Sequence, residues 1–466
     1  MSFRTEQDML GQYDIEEDRY YGINTKRALE NFKLEYHNTN IKLIKELALI
    51  KKAAATVNGK LMYLDEDKAK AIAQASEEVI AGKFNEELCT NALQGGAGTS
   101  ANMNVNEVIA NRAIELLGGK KGDYSLVHPL NDVNMCQSTN DVYPTALRIA
   151  AIKLIRQLSE ELAKLQQRFQ EKEQQFNHII KLGRTELMDA VPMLAGQGFG
   201  AYAKALERDR WRIYKVEERL RQINIGGTAI GTGLNAPLKY IYMITEELQD
   251  LTGLGLARSD YPMDITQNAD VFVEVSGLLK ACSTNLIKIS ADLRLLASGP
   301  AGGIGEIKLP QMQAGSTIMP GKVNPVITEM ITQVAIKVIA NDQAITMAAS
   351  MGQLELNAFM PLIADSLLQS LQLLKDGVTI FGEKCVEHID VDKEECERNL
   401  IGSTALAAAI VQHIGYDKAS YVAKKAIEDG VSIKEVLINE RLFTPEEAEQ
   451  LLNPFEVTKP GIPGRS

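Results

Sequence analysis

The chain has 466 residues, of which 45% are hydrophobic and 24% charged, the proportions of an ordinary globular protein long enough for two or three domains. A formal net charge of −11 argues against nucleic acid or an anionic membrane as partner, so an anionic small molecule would have to be held by local cations. The five cysteines (Cys89, Cys136, Cys282, Cys385, Cys396) are scattered without a CxxC pair and read as reduced thiols, and the five histidines lack ligand spacing, which argues against a metal centre.

The opening MSFRTEQDML carries no apolar signal run, and no apolar stretch reaches the about 18 residues of a membrane helix, so a soluble, cytoplasmic protein is expected. Helical patterns dominate the rest, and strand-like alternation is scarce. The first joint, QGGAGTSANMN (94–104), supplies flexible backbone and then Thr99 and Ser100 ahead of a helical run, a helix cap that could also receive an anion. The next, NMCQSTNDVYP (134–144), sets Ser138, Thr139 and Asn140 at a helix start. The helix predicted over 141–176 has no glycine, and its one proline, Pro144, sits in the first turn where it is tolerated. Ile155, Leu158, Leu162, Leu165 and Phe169 form a stripe at alternating three- and four-residue spacing, which predicts packing in a bundle.

KLGRTELMDAVP (181–192) reads as a further joint, with Arg184, Thr185, Glu186 and Asp189 as helix-capping candidates. GGTAIGTGLN (226–235) fits neither GxGxxG nor GxxxxGK[ST] and reads as a structural turn, not a nucleotide site. Long helical patterns follow over 266–297, 326–349 and 353–383, each well beyond the mean of about 11–12 residues. Between the first two lies GSTIMPGKVNP (315–325), whose two glycines and two prolines forbid a helix or central strand. This loop gathers Ser316, Thr317, Lys322 and Asn324. After Ile401 the helical patterns shorten, and the end, TKPGIPGRS, is expected to fray. Cuts near 139 and 395 divide the chain into a head (1–139), a long-helix body (140–395) and a small C-terminal domain (396–466).

Taken singly, these polar joints read as caps and turns. Together they repeat one inventory, hydroxyls and amides with an occasional cation at the ends of long helices, which is what holding carboxylates without a metal requires.

GSTIMPGKVNP resembles the signature loop of the aspartase/fumarase superfamily, whose pattern is close to G-S-S/T-x-M-P-x-K-x-N. Further segments agree in the family's order: YGINTKRALENF (21–32), GGAGTSANMNVNEVIANR (95–112), NMCQSTND, GRTELMDAVP, the turn at 228–235 and SGPAGGIGEIKLP (298–310). The resemblance covers essentially the whole chain. It implies a three-domain, predominantly all-α subunit, assembled as a homotetramer whose active sites each draw on three subunits. It implies no required cofactor, and it leaves activation by a divalent metal open. The partner it implies is a small dicarboxylate or amino-acid substrate. QSTND and DAVP resemble the aspartase branch, which releases ammonia from L-aspartate, whereas VHPLNDVN (127–134) leans toward the fumarases. The balance favours the aspartase branch, with class II fumarase-type hydration, another lyase of the superfamily, or a catalytically silent helical scaffold as alternatives.

Carried over by position, the resemblance makes Ser316 the base, with Lys322 beside it. Thr99, Ser138, Thr139, Asn140, Thr185, Lys322 and Asn324 would hold the two substrate carboxylates, and Arg27 would help from farther away. The loop's glycines would let it close over the substrate. Two positions depart from the pattern. Glu186 stands where the family has histidine or glutamine, facing a glutamate that here is Glu329, and Ala301 stands where it commonly has arginine.

Overall fold

Long stretches of good helix formers account for most of the architecture. In a computed structural model, which describes residues 2–464, helices carry most of the chain and the strands pair only two by two. The N-terminal hairpin β1 (Phe3–Asp8) and β2 (Gly11–Glu16) precedes α1 (Ile23–Asn31), α2 (Ile41–Lys60), α3 (Glu66–Ile80) and α4 (Thr99–Leu116). Next come α5 (Thr139–Gln175), the hairpin β3 (Ile180–Thr185) and β4 (Met188–Leu194), α6 (Ala195–Leu220), α7 (Leu238–Thr252) and α8 (Pro262–Gln267). The long helices α9 (Asp270–Leu296), α10 (Val326–Ser350) and α11 (Met360–Lys384) follow, and six shorter ones between Lys393 and Val457 complete the chain. The predominantly all-α class expected from the sequence is the class found. Among the described residues, no helix is long and apolar enough to cross a membrane.

The chain divides into two compact units, Met1–Ser159 with Trp211–Ser283 and Ile336–Lys375, and Glu160–Arg210 with Thr284–Ala335 and Asp376–Ser466. Each of the five long helices, 25 to 37 residues, contributes residues to both. The predicted stripe on α5 is buried throughout, with Ile155, Leu158, Leu162, Leu165 and Phe169 at most 1% exposed. In the second unit Phe169 meets Tyr202 of α6 edge-on (5.7 Å between ring centroids) and Phe381 of α11 at a tilt (6.3 Å), contacts that favour aromatic packing.

In the first unit, a carboxylate on one helix caps another. Glu107 of α4 is 1% exposed and accepts from the backbone N–H groups of Gly22, Asn24 and Thr25, the donors that the start of α1 leaves unpaired. This contact explains the motif YGINT: a side chain at Gly22 would run into Glu6 at 2.6 Å and Tyr124 at 2.7 Å. Arg27, one turn on, forms a two-pronged pair with Asp8 of the N-terminal hairpin at 2.7 Å through each nitrogen.

Several expectations need correction. KLGRTELMDAVP is not a helix cap but the hairpin β3–β4, because Ile180 and Leu182 on one strand and the following MDAVPML supply paired extended segments across a two-residue turn. The ladder bulges at Gly183, where a Cβ would meet Val191 O at 2.6 Å. The pattern over 266–297 is interrupted: α8 ends at Gln267, and Asn268 is extended before α9 begins. The pattern over 353–383 becomes helical only at Met360, since Gln353 and Leu356 form an isolated bridge and Asn357 accepts from Phe359 N. The expected fraying of TKPGIPGRS falls partly on Arg465 and Ser466, which lie outside the described residues. Its described part is tied down, with His413 Nε2 2.8 Å from Pro463 O.

Candidate active site

The predicted residues fall into two sets. Thr185, Glu186, Ser316, Lys322 and Asn324 belong to the second unit, and Thr99, Ser138, Thr139 and Asn140 to the first.

The loop at 315–325 is closed on itself. Gly315 N donates to Lys322 O (2.8 Å), Lys322 N donates to Met319 O (3.3 Å), and Asn324 Nδ2 donates to Gly315 O (2.8 Å). Inside this ring the Ser316 hydroxyl oxygen accepts from two backbone N–H groups, those of Ile318 (3.2 Å) and Met319 (2.9 Å). Two amide dipoles aimed at one hydroxyl oxygen favour negative charge on it, the arrangement a serine needs to act as a base. Lys322 is exposed and makes no ion pair with the described residues, so its ammonium is available to an incoming anion. Gly315 permits a close approach of the loop's two ends: a Cβ there would sit 2.6 Å from Lys322 O and 2.7 Å from Asn324 N. One N–H of the Asn324 amide is committed to the ring, which leaves its second N–H for an incoming acceptor.

Thr185 and Glu186 are exposed at the tip of β3–β4. The turn itself is Glu186–Leu187, with φ of 54° and 66°, the left-handed values of a tight hairpin turn that glycine or asparagine usually supplies. Two side chains held there store backbone strain, which is concentrated at functional sites. The hairpin is anchored from below by Glu306, fully buried between Lys181 (2.9 Å) and Arg184 (2.8 Å). These groups line a cavity of about 440 Å³ in the second unit, with Glu186, Phe199, Lys288 and Leu295. Glu329, set opposite Glu186 by the resemblance, lies 3.7 Å from Arg294.

In the first unit Ser138 and Asp141 form a reciprocal cap on α5. Ser138 Oγ accepts from Asn140 N (3.2 Å), and the Asp141 carboxylate accepts from Ser138 N (2.9 Å). Thr139 is buried and its hydroxyl accepts from Asn102 Nδ2 (3.1 Å), while Asn140 Nδ2 donates to Ala229 O (2.8 Å). Asp141 also receives the backbone N–H groups of Gly226 and Thr228, so the glycine-rich turn is structural, as the sequence suggested. Burial outweighs these three donors and pushes the Asp141 carboxyl up to about 7. Thr99 does not cap α4. The cap is Gly98 in left-handed backbone (φ 98°), where a Cβ would collide with the Tyr143 ring, and Thr99 Oγ1 donates back to Gly96 O at 2.7 Å. His128 Nδ1 accepts from Leu130 N and Asn131 N, a cap on the turn Pro129–Val133.

Sequence reasoning passed over Lys51. It lies on α2 with no solvent exposure and donates to Asn134 and Gln137 at 2.9 Å each, directly under the segment that carries Ser138 to Asn140. The signal was there: a lysine stands four residues after Leu47 and three before Ala54, where the helical period calls for an apolar side chain.

Comparison with known proteins completes the picture. Residues 11–340 match the family described as Lyase, and residues 406–459 match the one described as Fumarase C C-terminus. The chain is 45% identical over 463 residues to an aspartate ammonia-lyase of Bacillus subtilis (strain 168), covering 99% of this chain and 98% of that one. It is 40% identical over 461 residues to the class II fumarate hydratase of the same organism, covering 99% and 100%. A cobalt-bound crystal structure of a fumarate lyase/delta crystallin from Brucella melitensis superposes with a TM-score of 0.95 at 45% identity, covering 98% of this chain and all of that one.

Proposed function

The chain belongs to the aspartase/fumarase superfamily of lyases, and from that premise we propose that it catalyses the reversible deamination of L-aspartate to fumarate and ammonium. The chemistry rests on one observation, the Ser316 hydroxyl held by two backbone N–H groups in an exposed loop beside Lys322. The choice of substrate is supported by end-to-end likeness to several aspartate ammonia-lyases at 42–46% identity. In this reading the Ser316 oxyanion removes a Cβ proton from aspartate, and the carbanion delocalises into the adjacent carboxylate as an aci-carboxylate. That dianion collapses to form the Cα–Cβ double bond. Ammonia leaves with the electrons of the Cα–N bond and takes up the proton that Ser316 removed, which gives ammonium and restores the oxyanion.

Thr99, Ser138, Thr139, Asn140, Thr185, Lys322 and Asn324 hold the carboxylates, and the growing charge of the aci-carboxylate is balanced by Lys322 and by hydroxyl and amide donors. Glu186 receives the substrate's α-ammonium, a match that the neutral hydroxyl of malate does not offer. No cofactor is needed for this sequence of steps. As the family resemblance implies, the reading extends to a homotetramer with sites assembled from three subunits, acting in the cytoplasm on a small dicarboxylate or amino acid, without nucleic acid or membrane. The three-part division at 139 and 395 belongs to the same reading.

A second reading, hydration of fumarate, is favoured by HPLNDVN and by the 40% identity to a class II fumarate hydratase. Incubation with L-aspartate, L-malate or argininosuccinate, each followed by the ultraviolet absorbance of fumarate, separates the readings. Release of fumarate from aspartate is expected. Turnover of malate with aspartate untouched overturns the proposal.

A further inference from the structure

Lys51 is a charged side chain in a place where charge is costly. Its exposure is 0%, and among the described residues no carboxylate lies within hydrogen-bond distance; its two bonds go to neutral amide oxygens, Asn134 Oδ1 and Gln137 Oε1 at 2.9 Å each. Those two residues bracket Cys136, held in left-handed backbone with φ of 61°. Asn134 Nδ2 donates to Gln137 O (3.1 Å), and Gln137 Nε2 donates to Val133 O and Met135 O (3.1 Å each), so the segment is wrapped around the ammonium. From α4, Asn102 and Asn106 add bonds to the same Asn134 oxygen, at 3.2 and 3.1 Å, and Asn102 reaches on to Thr139 Oγ1. The wrapped segment leads straight into Ser138, Thr139 and Asn140.

We infer that Lys51 is the positioning residue of the Ser138–Asn140 segment: its ammonium sets the backbone that receives a substrate carboxylate and places one buried positive charge behind it. This rests on the dicarboxylate reading of the site. Asp141 of α5 is the charged group that acts on Lys51. The other titratable groups around the pair are the half-buried Cys136 in the segment and the buried Tyr240 of α7, both acted on by Asp141, while α3 sends Lys68 to Asp132 at 3.2 Å and α4 offers only amides. Burial brings Lys51 down to about 7. A carboxylate docking above it favours the protonated form, so binding of a dicarboxylate should draw a proton from solution.

The test uses the intact protein and succinate, a dicarboxylate with no leaving group. Calorimetric titration in two buffers of different ionisation enthalpy, between pH 7 and 8, reads the protons exchanged. The wild-type protein is expected to take up a fraction of a proton, and K51M, a neutral side chain of similar length, to lose that uptake. K51M should also bind succinate about 10- to 100-fold more weakly and raise KM for aspartate by the same factor, with a smaller effect on kcat. K51R should recover part of the affinity. If K51M does not accumulate in folded form, Gln137→Met, which removes one of the two tethers and keeps the lysine, must weaken succinate binding at least about threefold. A K51M or Q137M protein that melts at lower temperature but binds succinate with unchanged affinity and proton uptake overturns the inference, since a purely structural lysine predicts that result. A wild-type protein that neither binds succinate nor deaminates aspartate instead refutes the functional reading, and the inference falls with it.

Discussion

Replacing Ser316 with alanine separates catalysis from folding because the structure gives different magnitudes for the two. The hydroxyl oxygen accepts two N–H bonds, from Ile318 and Met319. For a neutral hydroxyl each contributes about 0.5–1.5 kcal/mol. Ile318 and Met319 are 83% and 47% exposed, so water replaces the lost acceptor and the stability cost should stay near or below about 1 kcal/mol. For the oxyanion the same bonds are about twice as strong, which favours deprotonation by a further about 1–3 kcal/mol, or about one to two pKa units. A cation brought to about 4 Å adds about 4 kcal/mol at an effective dielectric of about 20, about three units more. Starting from an acidity near that of water, at about 15.7, these contributions still leave the hydroxyl mostly protonated at neutral pH. The remainder must come from excluding water when substrate is enclosed. With the base removed, kcat for aspartate should fall by about 10²- to 10⁴-fold, with KM little changed and the melting temperature almost unmoved. Fumarate absorbance gives the kinetics and circular dichroism the fold. A folded S316A protein within about threefold of wild-type kcat refutes the assignment.

Lys322→Ala should damage both KM and kcat, and Lys322→Arg should rescue only partly, since a planar fork does not replace a point charge; steady-state kinetics showing full activity in the alanine variant would return Lys322 to a solvated surface role. Glu186→Gln should raise KM for aspartate more than KM for fumarate in the reverse amination and shift the pH–rate profile. If both constants and the profile stay put, Glu186 has no part in the site. Leu187→Gly relieves a left-handed turn position and should stabilise the protein by up to about 1 kcal/mol, the strain released less the chain entropy of glycine, so a lower melting temperature contradicts the turn reading. Arg156, bonded to both oxygens of Glu217, holds that carboxyl below its ordinary range, with Arg221 assisting. The unfolded chain therefore binds this proton first. The contribution is intact above the unfolded value of 4.5 and fades as pH falls through the lower folded one, so the stability deficit of Glu217→Gln, followed by denaturant titration, should shrink below about pH 4.5.

What could be read from the residues alone followed from repetition. The α5 stripe from Ile155 to Phe169 repeats the same spacing over four intervals, and every member is buried. The loop at 315–325 was legible because two prolines and two glycines exclude regular structure and leave its polar residues needing another explanation. The β3–β4 hairpin was missed because its turn is Glu-Leu, not the Asn-Gly that marks such turns, and because its polar residues look like a helix start. The role of Gly98 could not be seen either, since it depends on the ring of Tyr143, forty-five positions later. Lys51 shows the same limit from another side. A lysine between apolar residues is legible as an anomaly, but its partners, Asn134 and Gln137, become neighbours only through folding.

The ring that closes the loop at Gly315, Lys322 and Asn324 makes this stretch a cassette. Its closing bonds run between its own residues, so the orientation of the Ser316 oxygen and the place from which Lys322 projects are set inside ten consecutive residues, independently of the helices that flank them. Ser316 and Lys322 therefore travel together: a displacement of the loop carries both, and a substitution that opens the neck, such as any side chain at Gly315, uncouples them while leaving both groups chemically intact. For protein engineering the unit of exchange is then the whole cassette from 315 to 324 and not its individual positions, because a transplanted serine without the neck arrives with no amides pointed at its oxygen.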